Sequence, residues 1–266
     1  MRRNIQPITK CAEGDIAPRI FLCGDPARVP KISGSWRNVR EVCAVREYLI
    51  VTGQLEGVPL TAASTGIGGP STAVAVEELA KLGAEVFIRI GNSGGVGEAV
   101  SVGDYVITTG AVRDDGTSRS YVAPEYPAVA DYEIVGALVR AARESDARFH
   151  VGVTWSMDGF YSRNKALGEH GELRSMSYNE YSQSWMNSIL LDLKRAGVQN
   201  CEMEAATILT LAGLFGLKAG CICTVSDRAP WPGPSAESLD LETNMAGCID
   251  IATKAMLEIA QGAKER

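Results

Sequence analysis

Short apolar runs alternate with amphipathic stretches along the whole chain, and this alternation restricts the fold more than any other feature. The runs that predict strands are 19–23, 47–53, 58–64, 86–90, 102–109, 151–156 and 219–225. The stretches that predict helices are 70–82, 132–144, 186–194, 205–215 and a last one carrying Met245, Ile249, Ala252, Met256 and Ile259. Strands that alternate with helices form a parallel sheet covered on both faces. We therefore predict an α/β fold, a three-layer domain with a central mixed, largely parallel sheet flanked by helices.

The length and the charge limit the classes of protein to which this chain can belong. The 266 residues contain no linker or repeat, so we predict a single domain over residues 1–266. The net charge of −6 is unlike the clustered basic surface that binds nucleic acid. The apolar runs are far shorter than the roughly 18 residues of a membrane span. Residues 1–15 lack the apolar region of a secretory signal. We expect a cytoplasmic protein without nucleic-acid or membrane partners.

The histidine and cysteine counts restrict the kinds of site. A Ser-His-Asp triad or a multi-histidine metal site would have to be built from His150 and His170, the two histidines of the chain. The seven cysteines include no C-x-x-C pair, which favours buried, reduced thiols over a zinc or redox site. We expect neither a metal nor a cofactor.

Two arginines lie in or beside glycine-containing loops that follow predicted strands. Gly24 and Arg28 belong to the loop after the first strand, and Arg89 lies in the run 86–90, directly before the glycine-rich residues 91–95. Ligands bind at the carboxyl ends of parallel strands, where a guanidinium and backbone N–H groups bind an anion. A buried salt bridge also explains a charge inside an apolar strand. Both interpretations of Arg89 stay open.

Carboxylates follow two further strand candidates. Glu202 and Glu204 share one side of an extended segment, and Glu204 precedes the helix 205–215, where it is either a helix N-cap or a site residue. Asp227 follows the last predicted strand and is either a general acid or an ion-pair partner of Arg228.

Three segments without a clear period complete the pattern. The turn at 66–71, Gly-Ile-Gly-Gly-Pro-Ser, matches a dinucleotide-binding motif only in part and favours a tight strand-to-helix turn. The segment 158–184 either contains short structure or is a flap, and the proline-rich segment 229–234 is a second flap candidate. The residues alone indicate an α/β protein that binds an anionic small molecule.

Four motifs occur together in a defined order and spacing. They are Gly24-Asp25-Pro26-Ala27-Arg28, Ser64-Thr65-Gly66-Ile67-Gly68-Gly69-Pro70-Ser71, Arg89-Ile90-Gly91 and Glu202-Met203-Glu204. This set resembles the nucleoside phosphorylase family, especially its uridine phosphorylase branch, from about residue 9 to residue 264. The resemblance implies phosphate-dependent cleavage of an N-glycosidic bond, which releases a free base and (deoxy)ribose 1-phosphate.

The resemblance also implies roles for individual residues. The phosphate would bind Gly24, Arg28, Arg89 and Asn92, together with Arg46 of a neighbouring subunit, which implies a homodimer or a hexamer built from dimers. The ribose would bind Met203 and Glu204, and Ile5 occupies the place of a histidine that contacts the 5′-hydroxyl in many relatives, which suits a 5′-modified sugar. The base would lie near Phe160, Asn164, Glu202 and Asp227. Catalysis would rest on Asp227, Arg89 and Glu204.

Departures from the uridine branch leave the base open. Asn164 and Ala166 replace the Gln and Arg that contact uracil in that branch, and Arg163 or Lys165 are candidates to replace the Arg. Asp227 is similar to the Asp that protonates the leaving base in the purine branch. The expected substrate is uridine or a related pyrimidine nucleoside, with a purine or 5′-modified nucleoside as the alternative. A non-enzymatic nucleoside-binding relative is the alternative from another class.

Overall fold

The computed structural model describes residues 5–145, 147–186, 188–231, 240 and 242–262, and most of its strands belong to one mixed sheet. The strands are β1 (Arg19–Cys23), β2 (Arg37–Val45), β3 (Tyr48–Leu55), β4 (Val58–Ser64), β5 (Val86–Gly95), β6 (Tyr105–Asp114), β7 (Ala128–Val129), β8 (Phe149–Met157), β9 (Lys165–Leu167), β10 (Leu173–Ser175), β11 (Asn200–Glu202) and β12 (Lys218–Arg228). The helices are α1 (Val29–Ile32), α2 (Gly69–Lys81), α3 (Gly116–Tyr121), α4 (Tyr132–Glu144), α5 (Phe160–Arg163), α6 (Ile189–Arg195), α7 (Ala205–Phe215) and α8 (Met245–Gly262). The sheet order is β11-β8-β6-β12-β5-β1-β4-β3-β2, with β7 beside β6, while β9 and β10 pair separately.

The two faces of the sheet are covered by different helices. Ile20 of β1 and Phe87 of β5 pack with α2 and α7, whereas Phe21 and Ile88 pack with α4 and α8. Because successive side chains of a strand point to opposite faces, Arg89 falls on the α2–α7 face with Phe87. The predicted α/β architecture, with helices on both faces of a mixed sheet, is confirmed.

Four of the strands that carry the predicted site end at one edge of the sheet. β1 runs parallel to β4 and β5, and β12 runs parallel to β5. The loop after β1, the turn after β4, the second half of β5 and the end of β12 therefore meet there. This edge is where open α/β sheets place their ligands.

β5 extends to Gly95, whereas the sequence predicts its end at residue 90. The glycines let other groups approach the strand: a Cβ at Gly91 would lie 2.7 Å from Arg89 Nη2, and one at Gly94 would lie 2.8 Å from Asp227 Oδ1. This second half pairs with β12 on one side and β11 on the other. As a result β5, β12, β6, β8 and β11 form a closed ring of strands.

Other predicted elements are confirmed with shifted ends. The turn between β3 and β4 lies at Glu56 and Gly57, both with positive φ, as in a two-residue hairpin. β6 begins and ends later than the predicted 102–109, and α6 begins later than the predicted 186. The segment 158–184 contains short structure, namely α5, β9 and β10. Sequence reasoning missed β2, because this edge strand is mostly exposed and has no apolar period.

The cysteines are all buried and unpaired, which confirms the prediction of buried thiols. No cluster of three or more His, Cys, Asp or Glu side chains with metal-binding geometry occurs in the described ranges. Among the helices that the structure describes, none is long and apolar enough to cross a membrane.

Candidate active site

Arg89 is the centre of a buried ion-pair cluster on the α2–α7 face. The residue is 4% exposed. Its Nε donates to Glu202 Oε2 at 2.9 Å, and its Nη2 lies 2.5 Å from Glu204 Oε2. Burial by itself lowers the pKa of Arg89, but the carboxylates of Glu204 and Glu202 hold that pKa well above its ordinary value. The guanidinium is therefore charged, and the salt-bridge interpretation of Arg89 is confirmed.

Glu204 links this cluster to the glycine-rich turn before α2. It occupies the N-cap position of α7, yet its side chain accepts no capping hydrogen bond there. Its Oε1 instead accepts the N–H of Gly68 at 2.5 Å, and Gly68 has a φ of 89° that favours glycine. Burial raises the pKa of Glu204, and Arg89 opposes that rise. The N-cap interpretation of the Glu204 side chain is wrong.

Glu202 and Ser156 cap α7 in its place. Glu202 Oε2 accepts the N–H of Glu204 at 2.8 Å and that of Ala205 at 2.9 Å, and Oε1 also accepts from Ala205 at 3.0 Å. Ser156 Oγ accepts the N–H of Ala206 at 3.0 Å. The Glu202 carboxylate is thus fully engaged within the chain, and its contact with a base stays a prediction.

Two buried guanidinium groups have N–H groups without a partner among the described residues. Arg28 donates from Nη1 to Ile90 O at 3.4 Å, but its Nε has no partner, and neither has Nη1 of Arg89. Burial raises the pKa of Cys23 to about 12, and both arginines oppose that rise, so the two guanidinium groups share one region. An unpartnered buried donor costs about 1–3 kcal/mol, more when charged. This arrangement favours a bound anion.

Three further predicted phosphate and ribose residues lie around this cluster. Gly24 follows β1, and its carbonyl accepts the N–H of Gly66 at 3.0 Å. Asn92 follows Arg89 on β5 and is in register with Thr224 of β12. Met203 lies between β11 and α7, and thus between the two carboxylates of the cluster. The contacts of these residues with ligands stay predictions.

Asp227 lies at the irregular end of β12. Its Oδ2 accepts from Ser226 Oγ at 3.1 Å, and burial raises the pKa of the Asp227 carboxyl, opposed by this hydrogen bond. Arg228 donates to the carbonyls of Val100 and Gly97. No ion pair joins Asp227 to Arg228 in the described part of the chain. The ion-pair interpretation of Asp227 is therefore wrong, and its role as a general acid stays a prediction.

Two of the predicted base residues, Phe160 and Asn164, lie beside the loop that follows β12. Phe160 packs edge-to-face against Trp231, with the ring centroids 6.1 Å apart. Asn164 is buried, and its Nδ2 donates to the carbonyl of Phe160 at 2.9 Å. The N–H of Trp231 donates to Lys165 O, and the N–H of Leu167 donates to Trp231 O, both at 2.8 Å. The β12 end is thus fastened to β9, while residues 232–234 of the second predicted flap lie outside the described residues.

The two candidate replacements for the base-binding arginine have partners within the chain. Arg163 Nη2 lies 2.9 Å from Asp114 Oδ1, and its guanidinium lies 4.9 Å from the ring centre of Trp185. Lys165 is buried, and its Nζ donates to Ser182 Oγ at 2.8 Å. Their contacts with a base stay predictions.

The structure does not bring Arg46 and Ile5 into the cluster. Arg46 lies at the turn between β2 and β3, where its side chain is 68% exposed and 3.5 Å from Glu47. Ile5 is 59% exposed and pairs with Ala12. Both are exposed, as residues that serve a neighbouring subunit have to be, and that role stays a prediction.

Sequence reasoning missed three contributors to this region. The N–H of Gly68 reaches Glu204 across 136 positions of sequence, and Trp231 meets β9 only in the folded chain. Ser156 ends the predicted strand 151–156, but its capping of α7 depends on the β8–β11 pairing.

Comparisons with known proteins agree with this geometry. A family model for the phosphorylase superfamily matches residues 18–260. The uridine phosphorylase of Thermococcus kodakarensis is 48% identical over 215 residues, which are 81% of this chain and 74% of that protein. The guanosine phosphorylase of Halorubrum lacusprofundi is 41% identical over 220 residues, 83% of this chain and 82% of that protein. The uridine phosphorylase of Escherichia coli is 40% identical over 217 residues, 81% and 83% of the two chains. With its layered sheet, its buried arginines and these matches, the chain belongs to the phosphorylase superfamily.

Proposed function

We propose that this chain is a nucleoside phosphorylase of the uridine type. One observation carries the proposal: Arg28 and Arg89 are buried guanidinium groups with N–H groups that lack a partner among the described residues. They lie at the edge of the sheet where the parallel strands end. A planar guanidinium matches the oxygens of phosphate, so these groups suit inorganic phosphate as the second substrate. The similarity to two uridine phosphorylases supports uridine as the nucleoside.

The proposed reaction assigns a task to each part of the cluster. A phosphate oxygen forms a bond to C1′ while the C1′–N bond breaks, and the base leaves with the electron pair and takes up a proton. Positive charge develops on the sugar, and a fixed phosphate dianion stabilises it. Arg28, Arg89, Gly24 and Asn92 hold the phosphate in this proposal. Glu204 accepts hydrogen bonds from the sugar hydroxyls, and no cofactor takes part.

A purine nucleoside is the second candidate substrate, and Asp227 favours it. Burial raises the pKa of this carboxyl, so it holds a proton at a higher pH than an exposed Asp does. When this carboxyl carries a proton near the base, it can donate that proton to a leaving purine nitrogen. The similarity to a guanosine phosphorylase supports the same candidate.

The proposal extends to assembly and location. We propose a homodimer, or a hexamer built from dimers, in which Arg46 completes the phosphate site of the neighbouring subunit. The exposed side chain of Arg46 supports this arrangement. We also propose a cytoplasmic enzyme of nucleoside salvage, and the seven unpaired thiols support a reducing compartment.

A nucleoside panel with and without phosphate tests the proposal. Uridine, thymidine, inosine, guanosine and their 5′-deoxy analogues are each incubated with the protein, and base release is measured by chromatography. We expect release only with phosphate, and fastest from uridine. Base release that is independent of phosphate would indicate a hydrolase. Thermal stabilisation by nucleosides without turnover of any of them would indicate a binding protein.

A further inference from the structure

Glu202 makes more contacts than either helix capping or charge neutralisation requires. Its side chain is 1% exposed, and its Oε2 receives three donors: Arg89 Nε and the N–H groups of Glu204 and Ala205. The proposed reaction gives this carboxylate no task. Its contacts nevertheless include the guanidinium on which phosphate binding rests.

The contact with Nε determines how the guanidinium of Arg89 is oriented. Nε and Nη2 form one edge of the planar group, and this edge faces the two carboxylates, with Nε on Glu202 and Nη2 on Glu204. Nη1 lies at the far side of the plane and has no partner among the described residues. With two atoms of one edge fixed, rotation about the side-chain torsions is blocked, and Nη1 keeps one direction.

The Glu202 carboxylate is itself held by two secondary-structure elements. The residue ends β11, where it pairs in register with Ser156 of β8, and its oxygens accept the first N–H groups of α7. Its position is thus set by backbone atoms rather than by a mobile side chain. A carboxylate held in this way can keep the guanidinium of Arg89 in one position.

Charge neutralisation of Arg89 does not by itself require Glu202. Glu204 already neutralises Arg89 at 2.5 Å, and the nearby charge of Glu202 raises the pKa of Glu204 further. A second carboxylate beside an anion site also repels the anion. The contribution of Glu202 to phosphate use is therefore geometric.

We propose that Glu202 is a positioning residue that fixes Arg89 so that Nη1 faces the bound phosphate. This inference rests on the proposed phosphorylase function. Glu202 thus has a different task from Glu204, which contacts the same guanidinium but binds the sugar in the proposed function.

Steady-state kinetics of Glu202→Gln tests the proposal against a matched control. Gln keeps the size of the side chain and loses its charge, so the Nε contact weakens. We expect the KM for phosphate to rise by about tenfold to a hundredfold, since a displacement of about 1 Å in a positioned group has effects of this size. The KM for the nucleoside should rise less than the KM for phosphate, because Glu202 also holds the backbone N–H of Glu204. The control is Ser156→Ala, which removes another cap of α7 and does not touch Arg89. We expect the control to leave the phosphate KM unchanged.

Two outcomes would overturn the proposal while leaving the phosphorylase function intact. One is a Glu202→Gln enzyme whose KM for phosphate is unchanged. The other is a rise in the KM for phosphate and in the KM for the nucleoside that is the same in Glu202→Gln as in Ser156→Ala, because that result indicates helix capping alone. Failure of the wild-type enzyme to use phosphate would instead overturn the proposed function. If Glu202→Gln does not fold, Glu202→Asp replaces it, because Asp keeps the charge and shortens the reach. We expect Glu202→Asp to raise the KM for phosphate more than the KM for the nucleoside as well.

A double-mutant cycle with Arg89→Lys adds a second readout. Lys has no Nε–H in a planar fork for Glu202 to orient. We expect Glu202→Gln to have no further effect on the phosphate KM in the Arg89→Lys background. An equal effect in both backgrounds would show that Glu202 does not act through Arg89.

Discussion

Gly91→Ala displaces Arg89 without removing any group that takes part in the proposed chemistry. The added Cβ would lie 2.7 Å from Arg89 Nη2 and 2.9 Å from both Arg89 Cζ and Cys223 Sγ. Ordinary non-bonded contacts are about 3.5 Å or longer, so the guanidinium has to move by roughly 0.8 Å. Gly91 does not have a positive φ, so the Ala backbone is not strained there.

The displacement is expected to affect both stability and phosphate use. Overpacking of this kind costs about 1–3 kcal/mol of unfolding free energy, which lowers Tm by about 2–4 °C per kcal/mol at this size. A shift of nearly 1 Å in a positioned group lowers kcat/KM for phosphate by about a hundredfold. Initial rates of uridine cleavage at varied phosphate, with Tm from differential scanning fluorimetry, measure both effects.

Gly220→Ala is the matched control, because its Cβ overpacks β12 against Ile134 on the opposite face. We expect a similar loss of Tm and a kcat/KM for phosphate within about twofold of the wild type. A folded Gly91→Ala enzyme with wild-type phosphate use would refute the assignment of Arg89 to the phosphate.

Four further predictions concern other parts of the molecule. Asp227→Asn should slow purine cleavage more than pyrimidine cleavage, and equal loss on guanosine and uridine would contradict its role as proton donor. Because burial raises the pKa of folded Asp227, the free energy of unfolding falls as pH rises through that pKa. Asp227→Asn should therefore raise Tm at pH 7. This gain in Tm should vanish as the pH is lowered to about the ordinary pKa of Asp, 3.8. Arg46→Ala should weaken phosphate use. Mixed oligomers of Arg46→Ala and Arg89→Lys subunits should regain activity, because one site of each dimer then keeps both arginines. Mixtures no more active than either variant alone would exclude an Arg46 that serves the neighbouring subunit. Finally, the buried thiols should react with Ellman's reagent only slowly until the protein is denatured, whereas rapid native reaction would contradict their burial.

The sequence predicts the central elements because burial leaves a clear pattern in them. The helix 132–144 matches α4 at both ends, since its apolar face is periodic and Asp131 caps its first turn. β2 leaves no such pattern because solvent covers most of its residues. The second half of β5 resembles a loop in sequence, because glycine lowers strand propensity, and only the partner strands explain why small residues are needed there.

The candidate site, like the fold, is predicted only in part by the sequence. The family resemblance places Arg89, Glu202 and Glu204 in one site, whereas strand direction does not, because β11 runs antiparallel to β5. Sequence reasoning does not show which carboxylate caps α7 and which faces the glycine-rich turn, because the Gly68–Glu204 contact depends on how α2 and α7 pack. The predicted roles of Ile5 and Arg46 would require a second subunit, which the sequence pattern of one chain does not describe.

The fate of the phosphate tests the central claim most directly. Phosphorus NMR follows inorganic phosphate during the cleavage of uridine by the wild-type enzyme. The account predicts that inorganic phosphate disappears in step with the release of uracil and that a sugar 1-phosphate ester appears in equal amount. Release of uracil with free ribose and unchanged inorganic phosphate would contradict it.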